Sequence, residues 1–223
     1  MPQRSLASKQ TTSSSQWTLI SRILPTILLF TLLSACSSDK PAEPAKPEVK
    51  PAELLSGRSA FWKTYPQARA WSADSQPYRI ESSVTSEGNG QDGKWAIWNA
   101  RFGSPSKKAV KPYQWSGSAL ADSPSRGVNP GTEDSYSPTN ETTHIFDVQF
   151  LKIDTDAAFA TAQKHGGDKI IEKDPKTPVT YVCDWNHNTN QLVWHVIYGA
   201  SRDTAKLTVA VNASTGDFIR VEK

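Results

Sequence analysis

The sequence predicts an α+β fold in which one helix covers a small antiparallel sheet, and it predicts this arrangement twice. The phrase "IWNARFGSP" from Ile97 to Pro105 returns as "VWHVIYGAS" from Val193 to Ser201. With Trp98 on Trp194, Ala100 falls on Val196, Phe102 on Tyr198, Gly103 on Gly199 and Ala109 on Ala205, so apolar positions at period two match through one strand and into the next turn. Each phrase follows another alternating run, "PYRIESSV" or "VTYVCDW", and each run follows a helical candidate.

In chain order, the first helical candidate is "TYPQARAW", with Thr64 as N-cap and Pro66 in the first turn. The strand after it places Tyr78, Ile80 and Val84 on one face. From Ser116 to Thr143 the chain is rich in Ser, Pro, Gly and Asn and has no periodicity, so 118–143 reads as a linker or a long loop. The second helical candidate, "DTDAAFATAQKHGG", has Asp154 or Thr155 as cap and Gly166-Gly167 as stop. The strand after it aligns Tyr181, Cys183 and Trp185, and the next one sends His195 to the face opposite Trp194. A last hairpin joins "LTVAV" to "FIRV" through Gly216, a residue free to adopt positive φ. Trp98 and Trp194 are expected to be buried, each beneath the helix of its own half.

Upstream of this, residues 1–35 read as a leader: Arg4, Lys9 and Arg22 precede or flank the apolar run "ILPTILLFTLL", and no acidic residue occurs. The run is too short and too interrupted by proline to span a bilayer. It ends in Leu33-Ser34-Ala35-Cys36, which resembles the lipobox of bacterial lipoproteins. The resemblance implies that the Cys36 thiol takes a diacylglycerol and that cleavage leaves Cys36 as the first residue. Ser37 and Ser38 are not the aspartate associated with inner-membrane retention, so the resemblance points to the outer membrane, facing the periplasm. Residues 36–54 contain "DKPAEPAKPEVKPAEL", a proline-rich composition that favours extended chain at ~3.1 Å per residue and reads as a tether.

The net charge of +3 belongs to the leader, because without its three cations 22 basic residues face 22 acidic ones. With no basic surplus left, a nucleic-acid partner is not expected. If Cys36 carries lipid, Cys183 has no partner for an internal disulfide, and its flanks "TYVCDW" favour a buried, inert thiol. A catalytic site would have to pair Cys183 with His187 or His195; His187 lies in a turn, and spacing places neither histidine at the thiol. His144, His165, His187 and His195 lack metal-ligand spacing, and no phosphate-cradling glycine loop occurs. No metal, cofactor or catalytic residue is therefore expected. Trp62, Trp71 and Trp115 are harder to bury together, and either cap the sheet edges or form a partly exposed cluster suited to a protein partner.

The Ala-rich helix "AAFATAQKHGG", the strand "LVWHVIYG" and the hairpin "LTVAVNASTGDFIRVEK" resemble a PepSY domain, a small unit of bacterial envelope proteins and of some secreted-peptidase propeptides. Val209, Val211, Ala213, Thr215, Gly216 and Phe218 fill the positions of its final hairpin, with Asn212 where the family commonly has Asp. The resemblance implies a PepSY/cystatin-like α+β unit over 144–223 and a degenerate copy over 55–117. It also implies a non-enzymatic, lipid-anchored module that binds or regulates an unidentified envelope protein or peptide, such as a peptidase it restrains or docks. A structural subunit of an envelope assembly and a Cys183-dependent envelope enzyme are the other readings.

Overall fold

The apolar residues that alternate along the sequence converge on one face of a single, mostly antiparallel sheet. The computed structural model describes residues 50–222, which belong to one compact unit. The expected leader, Cys36 and the tether as far as residue 49 lie outside the described residues. In chain order the elements are β1 (Leu55–Ser56), α1 (Gly57–Trp71), β2 (Gln76–Ser83), β3 (Lys94–Trp95), β4 (Ile97–Ser104), β5 (Ala109–Ser116), β6 (Gly127–Pro130), β7 (Asp134–Ser135), α2 (Thr155–Ala162), α3 (Asp168–Lys173), β8 (Val179–Asn186), β9 (Gln191–Tyr198), β10 (Leu207–Asn212) and β11 (Phe218–Glu222). The fold class is α+β, as the alternation and the helix signals predict.

The main sheet runs β11-β10-β9-β8-β2-β4-β5-β6, with β7 also on β5, while β1 and β3 form a separate pair. Each half thus places its strands in sequence order outward from its own first strand. The two first strands meet through Arg79↔Asp184, Ile80↔Cys183 and Glu81↔Val182, so both halves share one continuous sheet. Ile80, Cys183 and Trp194 stand in line across β2, β8 and β9, and the β2–β4 register brings Trp98, Ala100 and Phe102 to the same face. Both helices pack there: Phe61 of α1 stacks on Phe102 at 5.9 Å, and Phe159 of α2 lies 6.5 Å from Tyr198.

Trp98 and Trp194 are 1% and 0% exposed. They meet each other edge to face at 6.4 Å, at the helix N-termini and not beneath two separate helices. Trp98 Nε1 donates to the Leu55 carbonyl at 2.8 Å, and Trp194 Nε1 donates to the Ile153 carbonyl at 3.0 Å. Leu55 precedes Ser56, the N-cap of α1, and Ile153 precedes Asp154, the N-cap of α2. Each indole therefore binds the same point of its own helix entry. Gly57 is where the rings converge, because a Cβ there would stand 2.7 Å from Trp194 Cη2 and 2.9 Å from Trp98 Cη2. The Asp154 carboxylate accepts from the Thr155 and Arg58 backbone N–H groups and from the Ser56 hydroxyl, so one side chain caps both helices and bears a charge suited to their N-terminal dipoles.

Three features depart from the sequence expectation. The first helix starts at Gly57, not at Thr64; Thr64 is buried inside it and donates to the Phe61 carbonyl at 2.8 Å. Pro66 sits in the helix interior on an exposed position; the cost of its missing N–H is offset by the packing of Ala60, Phe61 and Ala68. The second helix begins at Asp154, the first of its two expected caps. Gly166 interrupts it at φ 106°, yet the chain resumes as α3 instead of stopping at the glycine pair. The stretch 118–143 contributes β6, which pairs with β5 from Tyr113↔Pro130 to Ser116↔Gly127, and β7, which pairs with Ala109 and Val110. Of the two readings, linker or long loop, the second holds: the stretch is a long loop that lends two short strands to the sheet within one compact unit.

Candidate functional site

With α1 and α2 on one face, the opposite face of the sheet carries Arg79, Glu81, Asn99, Arg101, Asp184 and His195. These residues alternate with the core residues named above, so the pleat that buries Cys183 and Trp194 turns Asp184 and His195 to the other side. Their side chains join into a row of alternating charge that crosses the junction of the two halves. Glu81 Oε1 and Oε2 accept from Arg101 at 2.8 Å and Arg79 at 2.7 Å. Arg79 reaches on to Asp184 at 3.3 Å. Asp184 Oδ1 lies 3.0 Å from His195 Nε2, and Glu222 Oε2 lies 2.6 Å from His195 Nδ1. Arg220 closes the row on Glu222 at 2.7 Å. The row spans β4, β2, β8, β9 and β11, passing over β10 where Thr208 and Ala210 are small.

His195 is 4% exposed. Burial disfavours its charge, but hydrogen bonds to Asp184 and Glu222 outweigh this and hold its pKa above the ordinary 6.5. An imidazole with a carboxylate on each nitrogen can donate to both only when protonated, so the two carboxylates favour its charged form. Burial likewise pushes Asp184 and Glu222 up, and the bonds and charge of His195 bring both below their ordinary values of 3.8 and 4.5. Glu81 is lowered by Arg79 and Arg101 against its own burial. Arg202, in the loop after β9, leans on Asp184 at 3.6 Å and opposes the charge of His195.

The sign of the pH dependence follows. The His195 contribution is complete below about pH 6.5 and is lost as pH rises through its higher folded pKa. The Asp184 and Glu222 contributions are complete above their unfolded values and are lost as pH falls through the lower folded ones. The cluster therefore stabilises most between about pH 4.5 and 6.5. His195→Gln, which offers one amide donor group for two carboxylates, is expected to cost about 2 kcal/mol at pH 6 and to flatten the alkaline side of a urea-denaturation stability profile. An unchanged profile would remove the imidazolium from this account.

Depressions border the row. One of about 380 Å³ is lined by Arg79, Glu81, Thr180, Ile197 and Arg202, and one of about 550 Å³ by Arg202, Lys206, Arg220 and Glu222. A third, of about 230 Å³, is lined by Tyr78, Arg79, His144, Asp184 and Trp185 among others. Charged groups held in fixed pairs beside shallow depressions suit recognition of a polar surface: the pairs are already ordered, so little side-chain freedom is lost on docking.

Cys183 is fully buried, and burial pushes its thiol well above its ordinary range. It lies on the core face while His195 lies on the other, and His187 contacts His144 at 4.4 Å between ring centres; neither histidine is brought to the thiol. Among the described residues no three His, Cys, Asp or Glu side chains are grouped to hold a metal ion. Of the three tryptophans expected either to cap the sheet edges or to cluster, Trp115 is 4% exposed in the core and Trp62 is 41% exposed on α1, while Trp71 donates through Nε1 to Glu133 at 2.9 Å. Asp184 and Glu222 were missed as partners of His195 because they sit on other strands. The available signal was parity: Asp184 alternates with Cys183 just as His195 alternates with Trp194. Comparison with protein-family models, curated proteins and solved structures finds no match to this chain.

Proposed function

We infer that this chain is a lipid-anchored cell-envelope binding or regulatory module, built from two PepSY-like units and held at the membrane by the lipid on Cys36. In this reading it has no catalytic activity and docks a peptidase or another envelope protein on the helix-free face of its sheet. The observation that carries it is the charged row, which crosses the junction of the halves on the face that neither α1 nor α2 covers. Two arrangements of helix and four strands, with equivalent indole bonds at Leu55 and Ile153, support the tandem reading.

The test is site-specific photocrosslinking in native envelopes. A crosslinker at Asn99 or Gln114, neighbours on this face, is expected to capture a discrete protein, and one at Gln67 on the outer side of α1 is not. Adducts from Gln67 alone, or none from the sheet face, would overturn the docking assignment.

A further inference from the structure

The two halves offer an internal control for what the fold itself requires. Ser56 and Asp154 occupy the N-cap positions of equivalent helices, Ala60 matches Ala158, both 0% exposed, and Phe61 matches Phe159. Continuing that alignment along the outer side, Arg58 of α1 corresponds to Asp156 of α2, Trp62 to Ala160 and Lys63 to Thr161. An alanine suffices at the position of Trp62 in the second half, so packing of the fold does not demand an indole there. Trp62 is nevertheless 41% exposed, edge-on to Tyr65 at 5.4 Å.

Charge differs in the same way. α1 carries Arg58, Lys63 and Arg69 with no acidic residue, whereas 155–173, through α2 and α3, balances Lys164, Lys169 and Lys173 against Asp156, Asp168 and Glu172. The turn between β4 and β5 adds Lys107 and Lys108 beside the end of α1, with Lys107 and Lys111 at 6.0 and 5.9 Å from the Trp71 ring. Of the nearby acids, Glu133 is engaged by Lys111 and Trp71 and Asp74 by Ser72 and Ser104. Among the described residues Lys63, Arg69, Lys107 and Lys108 make no ion pair.

We propose that the outer face of α1, with Trp62, Lys63 and Arg69, and the adjoining Lys107-Lys108 turn form a contact surface for an anionic lipid bilayer. A convex helix that presents an indole among aliphatic lysine and arginine stems matches a planar headgroup layer: the ring and stems enter it while the charges meet lipid phosphates. Each cation strengthens such contact about fivefold. The helix-covered side of the sheet then faces lipid, and the charged row faces away from it. This assignment stands whether or not the charged row docks a protein.

The test uses the full-length chain reconstituted in vesicles of chain-brominated phosphatidylglycerol or chain-brominated phosphatidylcholine, with tryptophan quenching as readout. In the anionic vesicles Trp62→Ala is expected to remove a distinct quenched component. Lys63→Gln with Arg69→Gln is expected to weaken it about fivefold per charge, and 0.5 M salt to suppress it. In neutral vesicles wild type and Trp62→Ala should be quenched alike. Alanine is the residue at the equivalent Ala160, so Trp62→Ala should lose only its edge packing on Phe61 and Tyr65, lowering the thermal unfolding temperature slightly while keeping one cooperative transition, which separates lost contact from lost fold. Equal Trp62 quenching in both lipids, none in either, or shielding of Trp62 only when envelope proteins are added would overturn the proposal, the last in favour of an acidic protein partner.

Discussion

Trp194→Ala is expected to unfold both halves together. The substitution removes a ring that is 0% exposed, leaving a cavity against Trp98 and Gly57 and an unbound Ile153 carbonyl at the α2 entry. Truncations of this kind cost ~3–5 kcal/mol, a large part of the stability of a single domain. Because β8 pairs with β2, the loss should propagate, and hydrogen exchange is expected to show amides of β4 and β5 losing protection along with those of β9 and β10. Persistent protection of β4 and β5 would mean that the halves fold independently despite the shared sheet.

Gly57→Val is expected to be nearly as damaging, by the opposite mechanism. Its Cβ alone would meet Trp194 Cη2 at 2.7 Å, and Trp98 Cη2 and Thr155 Cγ2 both at 2.9 Å. Two of these atoms belong to rigid rings already held by hydrogen bonds. Overpacking a core costs typically 1–3 kcal/mol, and valine's two further methyl groups put this site at about the upper end. A chemical-denaturation midpoint within error of wild type would show that the helix entries separate freely.

The alternation in "IWNARFGSP" and "VWHVIYGAS" made β4 and β9 legible, because a half-buried strand states its period in its own residues. The start of α2 was legible for a similar reason: Asp154 and Thr155 are both favoured N-caps, and an alanine-rich run begins at Ala157. The start of α1 was not. Gly57 is a poor helix former, placed there because two indoles from distant strands leave no room for a side chain, and Pro66 imitates a first-turn proline. β6 was hidden by its glycine, asparagine and proline, residues depleted in strands; pairing with β5 overrides that preference. For the candidate site, parity showed that His195 leaves the core face, but its carboxylate partners depend on strand register, which no local pattern encodes.

The junction between the halves sets an order of assembly. β8 and β9 pair through eight positions across a short turn, whereas β2 and β8 pair through three positions that join residues such as Arg79 and Asp184, 105 apart in sequence. Closing so large a loop for so few ladder bonds is entropically unfavourable until both hairpins exist to share the buried face. The hairpins are therefore expected to form first and the junction last, with closure of the junction limiting the folding rate. During synthesis from the N-terminus, the free edge of β2 waits until most of the chain has emerged. In that interval the nascent protein is most exposed to pairing with the wrong strand.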